Sequence, residues 1–407
     1  PQVDIVNIAP STKFLLTTQA TGYQVWEAIN DLLDNMDDAG AQHFQVELIK
    51  GKNHPKVVLI DDGYGMIKKT LKKCLVLGVS EREIDNYKGK IGDRVAGRYG
   101  TGMNTSIATF QAKATIFSRG KGQSEVCKLT YDVSEISKGK SWEIPCVEAT
   151  AGETLWFNAS VNNNTGTIIT IENINLFKNE DYINTRSLLI KTISRVFRKH
   201  ILAGKRFTFK GQQQKSLELK PSDPMLHDVP IIEDNIVYKS KLLQDGVLTD
   251  IEYRCRKTGK LKKDGVIRIK TYRLPRADEQ FAKKHGINMK SSGIYVMRHD
   301  REILMGTTFG IYGKNSTLNR LRIEIYFTTE LDEVMRLPYM KNDVIPNQQI
   351  LDKISEFIQP DVRETRRWWE NGQGRVKNKN TKQDHVRKYV RHADDKSTKL
   401  GHVPKTL

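Results

Sequence analysis

The sequence predicts an α+β fold, a sandwich in which helices cover one face of a mixed β-sheet. Three observations predict it: an amphipathic helix near the start, two strands directly after it, and a glycine-rich loop over 81–104 that leads into a short helix at 103–110. Further elements are expected in chain order, namely strands at 114–118, 126–133 and 167–171 and a helix over about 180–202. This order is typical of two layers, one of helices and one of strands.

The first helix is predicted over residues 12–38, because apolar residues recur there at three- and four-residue spacing. They are Val25, Ile29, Leu32, Leu33 and Met36. Gly40 can end this helix. Residues 44–49 alternate between apolar and polar, which predicts a strand, and the continuous apolar run 56–60 predicts a buried strand.

A second, strand-rich unit is predicted over 205–345, after a first unit over 1–204. Its best strands are Val266–Tyr272, Gly293–Met297 and Leu321–Phe327, and the segment 205–265 is harder to place. Residues 346–407 form a third region that begins with a helix over 346–371. Residues 361–407 hold 13 Lys and Arg against 6 Asp and Glu, a net charge of +7, so we expect this tail to be flexible or to fold on binding.

Composition narrows the class of protein and its partners. The 407 residues carry a formal net charge of +18, which favours a polyanionic partner, with nucleic acid first and an anionic membrane second. We find no apolar run of about 18 residues that could span a membrane. The four cysteines form no CxxC pair and the first residues lack a secretory signal pattern, so we expect an intracellular protein, cytoplasmic or, in a eukaryote, nuclear.

The first chemical motif lies on the predicted first helix. Asp31, Asp34, Asn35 and Asp38 share one helical face and would direct their oxygens to a single point. Such a cluster suits Mg²⁺ with nucleotide phosphates, because Mg²⁺ takes a few oxygen ligands and keeps water. A solvated acidic helix face is the alternative.

The second motif, Asp61-Asp-Gly63-Tyr-Gly65-Met66, follows the buried strand directly. An Asp at this position can accept a hydrogen bond from an exocyclic amine, and the two glycines allow a ring to lie against the backbone. An ordinary strand-ending turn is the alternative.

The third and fourth motifs complete the set. Glycines precede the short helix in Gly97-Arg-Tyr-Gly100-Thr-Gly102-Met-Asn104, where free backbone N–H groups and the helix dipole can cradle phosphate. The stretch lacks the closing Gly-Lys-Ser/Thr of a Walker A loop. Thr165-Gly166-Thr167 opens a strand, where a hydroxyl can support a base edge through water.

The four motifs in this order resemble the boxes of the GHKL ATPases, the class of gyrase B, MutL, heat-shock chaperones, histidine kinases and the MORC ATPases, and the likeness is greatest to MORC-like members. The resemblance implies a Bergerat-type sandwich, an S5-like transducer domain, and ATP and Mg²⁺ as cofactors. Asn35 would bind the Mg²⁺, and Asp61 would bind the adenine amine with help from Thr167. The other implied nucleotide-binding residues are Gly63, Gly65, Met66, Gly100, Thr101, Gly102, Met103 and Asn104.

Two catalytic residues follow from the same resemblance. Asp31 stands where the family normally has a glutamate as general base, so its carboxylate reaches less far and we expect slow hydrolysis. Glu27, one turn earlier, is a weaker substitute. In the second unit, the Lys-x-Asp pattern of Lys341 and Asp343 matches the lysine that reaches the γ-phosphate, as suits a mobile point charge.

The expected function is an ATPase whose nucleotide state closes a lid and forms a homodimer that clamps or remodels DNA. Two alternatives remain open. One is the ATPase subunit of a type IIB topoisomerase, with a separate partner subunit for cleavage. The other is a chaperone-like ATPase acting on protein clients, which a large exposed apolar patch on the second unit would favour.

Overall fold

A computed structural model of the chain describes residues 12–13, 24–50, 55–76, 102–110, 112–139, 142–172, 174, 182–212, 214–255, 258–337 and 344–372. Three residues predicted to belong to the site, Gly100, Thr101 and Lys341, lie outside these ranges, as does the basic tail from residue 373. No helix in the described ranges is both long and apolar enough to cross a membrane.

The amino-terminal unit is built on a mixed eight-stranded sheet within the described ranges. Its strands are β1 (His43–Ile49), β2 (Lys56–Asp61), β3 (Lys113–Arg119), β4 (Cys127–Asp132), β5 (Cys146–Glu148), β6 (Gly166–Glu172), β7 (Arg206–Gly211) and β8 (Leu217–Glu218), in the spatial order β5-β4-β3-β6-β2-β1-β7-β8. Only the pairing of β1 with β7 is parallel among these strands. The α+β fold class and the mixed sheet predicted from the sequence are thereby confirmed.

Helices line both faces of this sheet, so the prediction that they lie on one face is wrong. They are α1 (Val25–Asp38), α2 (Lys68–Leu71), α3 (Gly102–Thr109), α4 (Val133–Lys138), α5 (Ala151–Ser160), α6 (Tyr182–Val196) and α7 (Arg198–Leu202). Along β2, Val57 and Leu59 join the large core with α1, α3 and α6, while Val58 and Ile60 join a smaller core under α5. The continuous apolar run of β2 reflects this burial on two faces.

The apolar stripe predicted on the first helix forms the centre of the large core. Ile29, Leu32 and Leu33 are fully buried on α1. At its start Glu27 accepts the backbone N–H of Gln24 at 2.8 Å, in a capping box. Each buried aliphatic side chain contributes about 1.5–3 kcal/mol, so packing fixes this helix against the sheet.

The second unit contains a five-stranded sheet in the order β11-β12-β15-β13-β14. Its elements are β9 (Ile231–Glu233), β10 (Ile236–Tyr238), β11 (Lys241–Arg254), β12 (Leu261–Arg273), α8 (Glu279–Lys284), β13 (Gly293–Arg298), β14 (Arg301–Thr307), a 3-10 turn (Ser316–Leu318), β15 (Leu321–Phe327), a second 3-10 turn (Thr329–Leu331) and α9 (Gln348–Glu370). The three strands and the carboxyl-terminal helix predicted here are present. Helix α9 packs its isoleucines and Val362 into the core of this sheet.

The two units meet in a region that includes residues beyond 204. Strand β7 pairs with β1, and Phe207 stacks on Phe44 with 4.2 Å between ring centroids. The first sheet therefore extends past the unit boundary predicted at residue 204.

A buried ionic network joins the units at this place. Arg198 on α7 is fully buried and donates to Glu302 on β14 and to Glu324 on β15, the latter at 2.8 Å. Burial alone would raise the pKa of Glu324, but Arg198 and then Lys199 outweigh it and hold that pKa below its ordinary value. The hydroxyl groups of Tyr272 and Tyr326 also donate to Glu324, at 3.2 and 2.6 Å.

Replacing Arg198 by alanine is expected to destabilise the protein strongly. It would leave the buried Glu324 without its ion-pair partner and Glu302 with Arg195 alone, and breaking such a buried pair typically costs about 3–5 kcal/mol in the free energy of unfolding. The matched control is Arg268→Ala, since Arg268 binds Asp245 through two nitrogens but is half exposed, and we expect it to cost under about 1 kcal/mol. Urea denaturation followed by circular dichroism measures both, and equal costs would contradict the role given to Arg198.

Candidate functional site

Asp61 ends β2 with its carboxyl group inside the protein. Its side chain is 2% exposed, and it accepts the backbone N–H of Gly63 at 2.8 Å. Burial raises the pKa of Asp61 to about 7, since the N–H groups of Gly63 and Thr167 offset only part of the desolvation cost. A carboxyl group in this state is suited to a ligand that donates a hydrogen bond into the interior.

The glycines after Asp61 sit where the chain passes other backbone closely. Gly65 has a φ of +61°, and a Cβ there would lie 2.1 Å from the carbonyl oxygen of Arg119. A Cβ on Gly63 would lie 2.7 Å from the carbonyl oxygen of Ala39. Both positions therefore require glycine because neighbouring backbone lies close to them, a reason different from the ring contact given in the sequence analysis.

Ser118, which the sequence analysis missed, connects the motif that begins at Asp61 with the motif that contains Gly166 and Thr167. It is fully buried on β3 directly opposite Thr167 on β6. Its hydroxyl accepts the backbone N–H of Met66 at 2.8 Å, donates to the carbonyl of Gly166 at 2.9 Å and lies 3.0 Å from the Thr167 hydroxyl. A serine directly after the apolar pair Ile116-Phe117 was the available signal, and its meaning depends on knowing that β3 pairs with β6.

At the other end of the candidate site, away from Asp61, the Asp31 side chain lies against the start of α3. Its carboxylate is 2% exposed and accepts the Ser106 hydroxyl at 3.1 Å. A Cβ on Gly102, the first residue of α3, would lie 2.7 Å from the Asp31 Oδ2. The predicted general base and the predicted phosphate cradle are therefore adjacent, because helices α1 and α3 pack together through a glycine.

The acidic face of α1 does not converge on one point, which corrects the expectation for Asp34. The Asp34 carboxylate, 2% exposed, lies 3.2 Å from the Arg301 Nε of the second unit. One turn on, Asp37 pairs with Lys205 and His200. No group of three or more His, Cys, Asp or Glu in the described ranges could hold a metal ion by itself. Of the four residues on this face, Asp34 is bound by a protein cation, so the face is not a solvated acidic surface at that position.

Asn35 retains hydrogen-bonding capacity. Its buried Nδ2 has no hydrogen-bond partner among the described residues. The two ends of the amide can exchange places by rotation, so the same group can present its oxygen instead. An amide oxygen beside the Asp31 carboxylate fits one ligand of a Mg²⁺ ion whose other ligands are phosphate oxygens and water.

The first turn of α3 offers backbone rather than side-chain groups. The Asn104 side chain donates to the Leu75 carbonyl at 2.7 Å and accepts the Tyr131 hydroxyl at 3.3 Å, so both ends of its amide are held within the protein. The first N–H groups of a helix, here those of Gly102, Met103 and Asn104, have no partner within the helix. Glu27, the substitute base, is held in the cap of α1.

Comparisons with known proteins agree with this arrangement. Residues 23–167 match the model of a family described as histidine kinase-, DNA gyrase B-, and HSP90-like ATPase. The chain is 34% identical to protein MICRORCHIDIA 2 of Arabidopsis thaliana over 112 residues, and 32% identical to MICRORCHIDIA 1 of the same plant over 128 residues. These alignments cover 26% and 29% of this chain but only 17% and 19% of the relatives, so the chain matches under a fifth of their length.

Substituting Gly65 by alanine is expected to destabilise the protein more than the same change at Gly122. Both residues have positive φ, +61° and +82°, where a Cβ typically costs about 1–2 kcal/mol. At Gly122 nothing lies within 4 Å of the new Cβ, whereas at Gly65 the Arg119 carbonyl must move, adding about 1–3 kcal/mol. Thermal unfolding of the two variants gives the comparison, and equal shifts in Tm would show that no close approach exists at Gly65.

Proposed function

We propose that the domain of residues 23–167, a GHKL ATPase domain of the MORC-like type, binds Mg-ATP and hydrolyses it slowly. The observation that carries the proposal is the placement of two buried carboxylates. Asp61 ends β2 beneath the glycine turn, and Asp31 lies over the first turn of α3. One carboxylate suits the base of a nucleotide and the other suits its phosphates.

At the base end, the Asp61 carboxylate accepts a hydrogen bond from the exocyclic amine of adenine. Thr167 supports the ring edge through water, and its hydroxyl is oriented by Ser118. Gly63 and Gly65 form the turn that the ring contacts, and both must be glycine because the backbone of Ala39 and Arg119 leaves no room for a side chain. Met66 lines the same turn and is fixed through its N–H by Ser118.

At the phosphate end, the N–H groups of Gly102, Met103 and Asn104 bind phosphate oxygens, with Gly100 and Thr101 preceding them in the chain. Asn35 contributes its amide oxygen to Mg²⁺, which when bound neutralises charge on the phosphates. Asp31 orients the attacking water and accepts its proton. The Ser106 hydrogen bond holds the Asp31 carboxylate in place.

The second unit is proposed to act as the transducer, with Lys341 reaching the γ-phosphate and ATP joining two copies of the chain. DNA is the proposed substrate of the resulting clamp, on the basis of the net charge of +18.

Action on protein clients is the second candidate, and one observation favours it. The β9–β10 hairpin exposes Ile232 and its cross-strand partner Val237, at 72% and 57%.

We expect Asp61→Asn to weaken ATP binding at least tenfold, because an amide can turn its donor toward the adenine amine. Wild-type affinity should rise from pH 6 to pH 8 as Asp61 loses its proton, whereas the variant should lack this component. Calorimetry with ATP and GTP at both pH values tests the role, and the variant controls for ionisation of the phosphates. Unchanged ATP and GTP affinities would show that Asp61 does not bind the base.

The same variant has a predicted effect on stability. A carboxyl with a folded pKa near 7 and an ordinary pKa of 3.8 stabilises the fold below pH 4, and that contribution is lost as pH rises through 7. Relative to wild type, Asp61→Asn should therefore gain stability between pH 5 and pH 8, by up to about 2.5 kcal/mol. Urea titrations at the two pH values measure this, and a pH-independent difference would contradict it.

Turnover is expected at about one per minute or less, and Asp31→Asn should abolish it while ATP still binds. Gly102→Ala should lower turnover at least tenfold, because its Cβ would displace the Asp31 carboxylate. The matched control is Gly152→Ala on α5, where nothing lies within 4 Å of the new Cβ. Phosphate release measures all three, and turnover that survives Asp31→Asn would assign the base to another residue.

DNA binding should be independent of sequence and should weaken steeply with salt. Each neutralised phosphate contributes about −0.9 to the slope of log K against log salt concentration. Removing residues 373–407 should lower the affinity for duplex DNA and flatten this slope while nucleotide binding stays unchanged. An unchanged slope would place the DNA contacts elsewhere. No DNA binding at low salt would favour the protein-client candidate.

A further inference from the structure

One side chain of the second unit reaches the helix that carries Asp31 and Asn35. Arg301, at the start of β14, has its Nε 3.2 Å from both carboxylate oxygens of Asp34 on α1. The Asp34 side chain is 2% exposed and the Arg301 side chain 11%. The Arg301 Nη1 also donates to the Glu302 carbonyl at 2.9 Å, which fixes the orientation of the guanidinium.

Arg301 has a rigid support behind it. The next residue, Glu302, is the carboxylate to which Arg195 and Arg198 bind at the junction of the units. A surface ion pair between flexible side chains would fix little, but this pair is buried and one partner is tied to a buried network. A movement of β14 would therefore move the Asp34 carboxylate with it.

Asp34 in turn sets the orientation of the residues around it on α1. It precedes Asn35 and follows Asp31 by three residues, close to one helical turn. A rotation of α1 that moved Asp34 would also swing the Asn35 amide and the Asp31 carboxylate, while β2 and β6, which carry the base end, would stay in place.

We propose that Arg301 is a positioning residue through which the second unit controls the catalytic end of the nucleotide site. By holding Asp34, it sets the angle at which α1 presents Asp31 and Asn35 to the phosphates. This inference rests on the proposed ATPase function. It predicts that loss of the contact lowers the rate of hydrolysis and leaves recognition of the adenine base intact.

The test compares Arg301→Ala with Lys205→Ala, which removes the cation of the next acidic residue on the same helix. Lys205 pairs with Asp37 but belongs to the first unit, so it is a matched control. We expect Arg301→Ala to lower kcat at least tenfold with the Kd for ADP changed less than threefold. Lys205→Ala should leave kcat within twofold of wild type.

A double variant in which both side chains are neutral distinguishes loss of the ion pair from a simple loss of folding. In Asp34→Asn with Arg301→Gln no buried charge is left uncompensated, and the kcat of this double variant should equal that of either single variant within threefold. Hydrogen exchange without nucleotide gives a second readout, in which the amides of residues 31–35 should exchange at least tenfold faster in Arg301→Ala, with those of β2 unchanged.

Three outcomes decide the matter. Wild-type turnover that survives Arg301→Ala, or an equal loss of kcat in Lys205→Ala, refutes the positioning role and leaves the ATPase proposal standing. Additive losses of kcat in the double variant would mean that Arg301 and Asp34 do not act as a pair. A wild-type chain that neither binds nor hydrolyses ATP overturns the proposed function and this inference together.

Discussion

The cost of removing charge from water governs the arrangement of this protein. Buried carboxylates must find a cation, accept hydrogen bonds or keep a proton, and each solution occurs here. Glu302 and Glu324 are paired with Arg198, and this pairing joins the two units. Asp34 is paired with Arg301, whereas Asp31 accepts a hydrogen bond from the Ser106 hydroxyl. The contact between the two units depends on these pairings.

Asp61 is the contrasting case among the buried carboxylates. The groups that perturb its pKa are two backbone N–H groups and a second carboxylate, Asp62, with no cation among them. Asp62 itself accepts two N–H groups and binds the His43 ring, so its pKa lies below its ordinary value in spite of partial burial. Of two adjacent carboxylates, one is satisfied by the protein and the other retains capacity for a donor from outside.

The sequence analysis predicted local features well and long-range partners poorly. The strand at 44–49 and the helix α1 follow from periodicity and the strand at 56–60 from a continuous apolar run, and these signals depend on neighbours in the chain. Helix α5 was missed because its exposed face carries Leu155 and Trp156, which blur the pattern expected of an amphipathic helix. The partner of Asp34 could not be predicted, since Arg301 is 267 residues away and nothing local marks either residue. Strand pairing was likewise needed to recognise Ser118.

The parallel pairing of β7 with β1 limits where the chain can be divided into separate domains. A chain cut at residue 204 would lose β7 and β8, leaving the hydrogen-bonding edge of β1 open and the Phe44 ring without its stacking partner. Open apolar edges of this kind promote aggregation. The same cut would also separate Arg198 from its partners Glu302 and Glu324. The first sheet therefore cannot be separated from the rest of the chain at residue 204, and a division that keeps all eight of its strands must fall after residue 218.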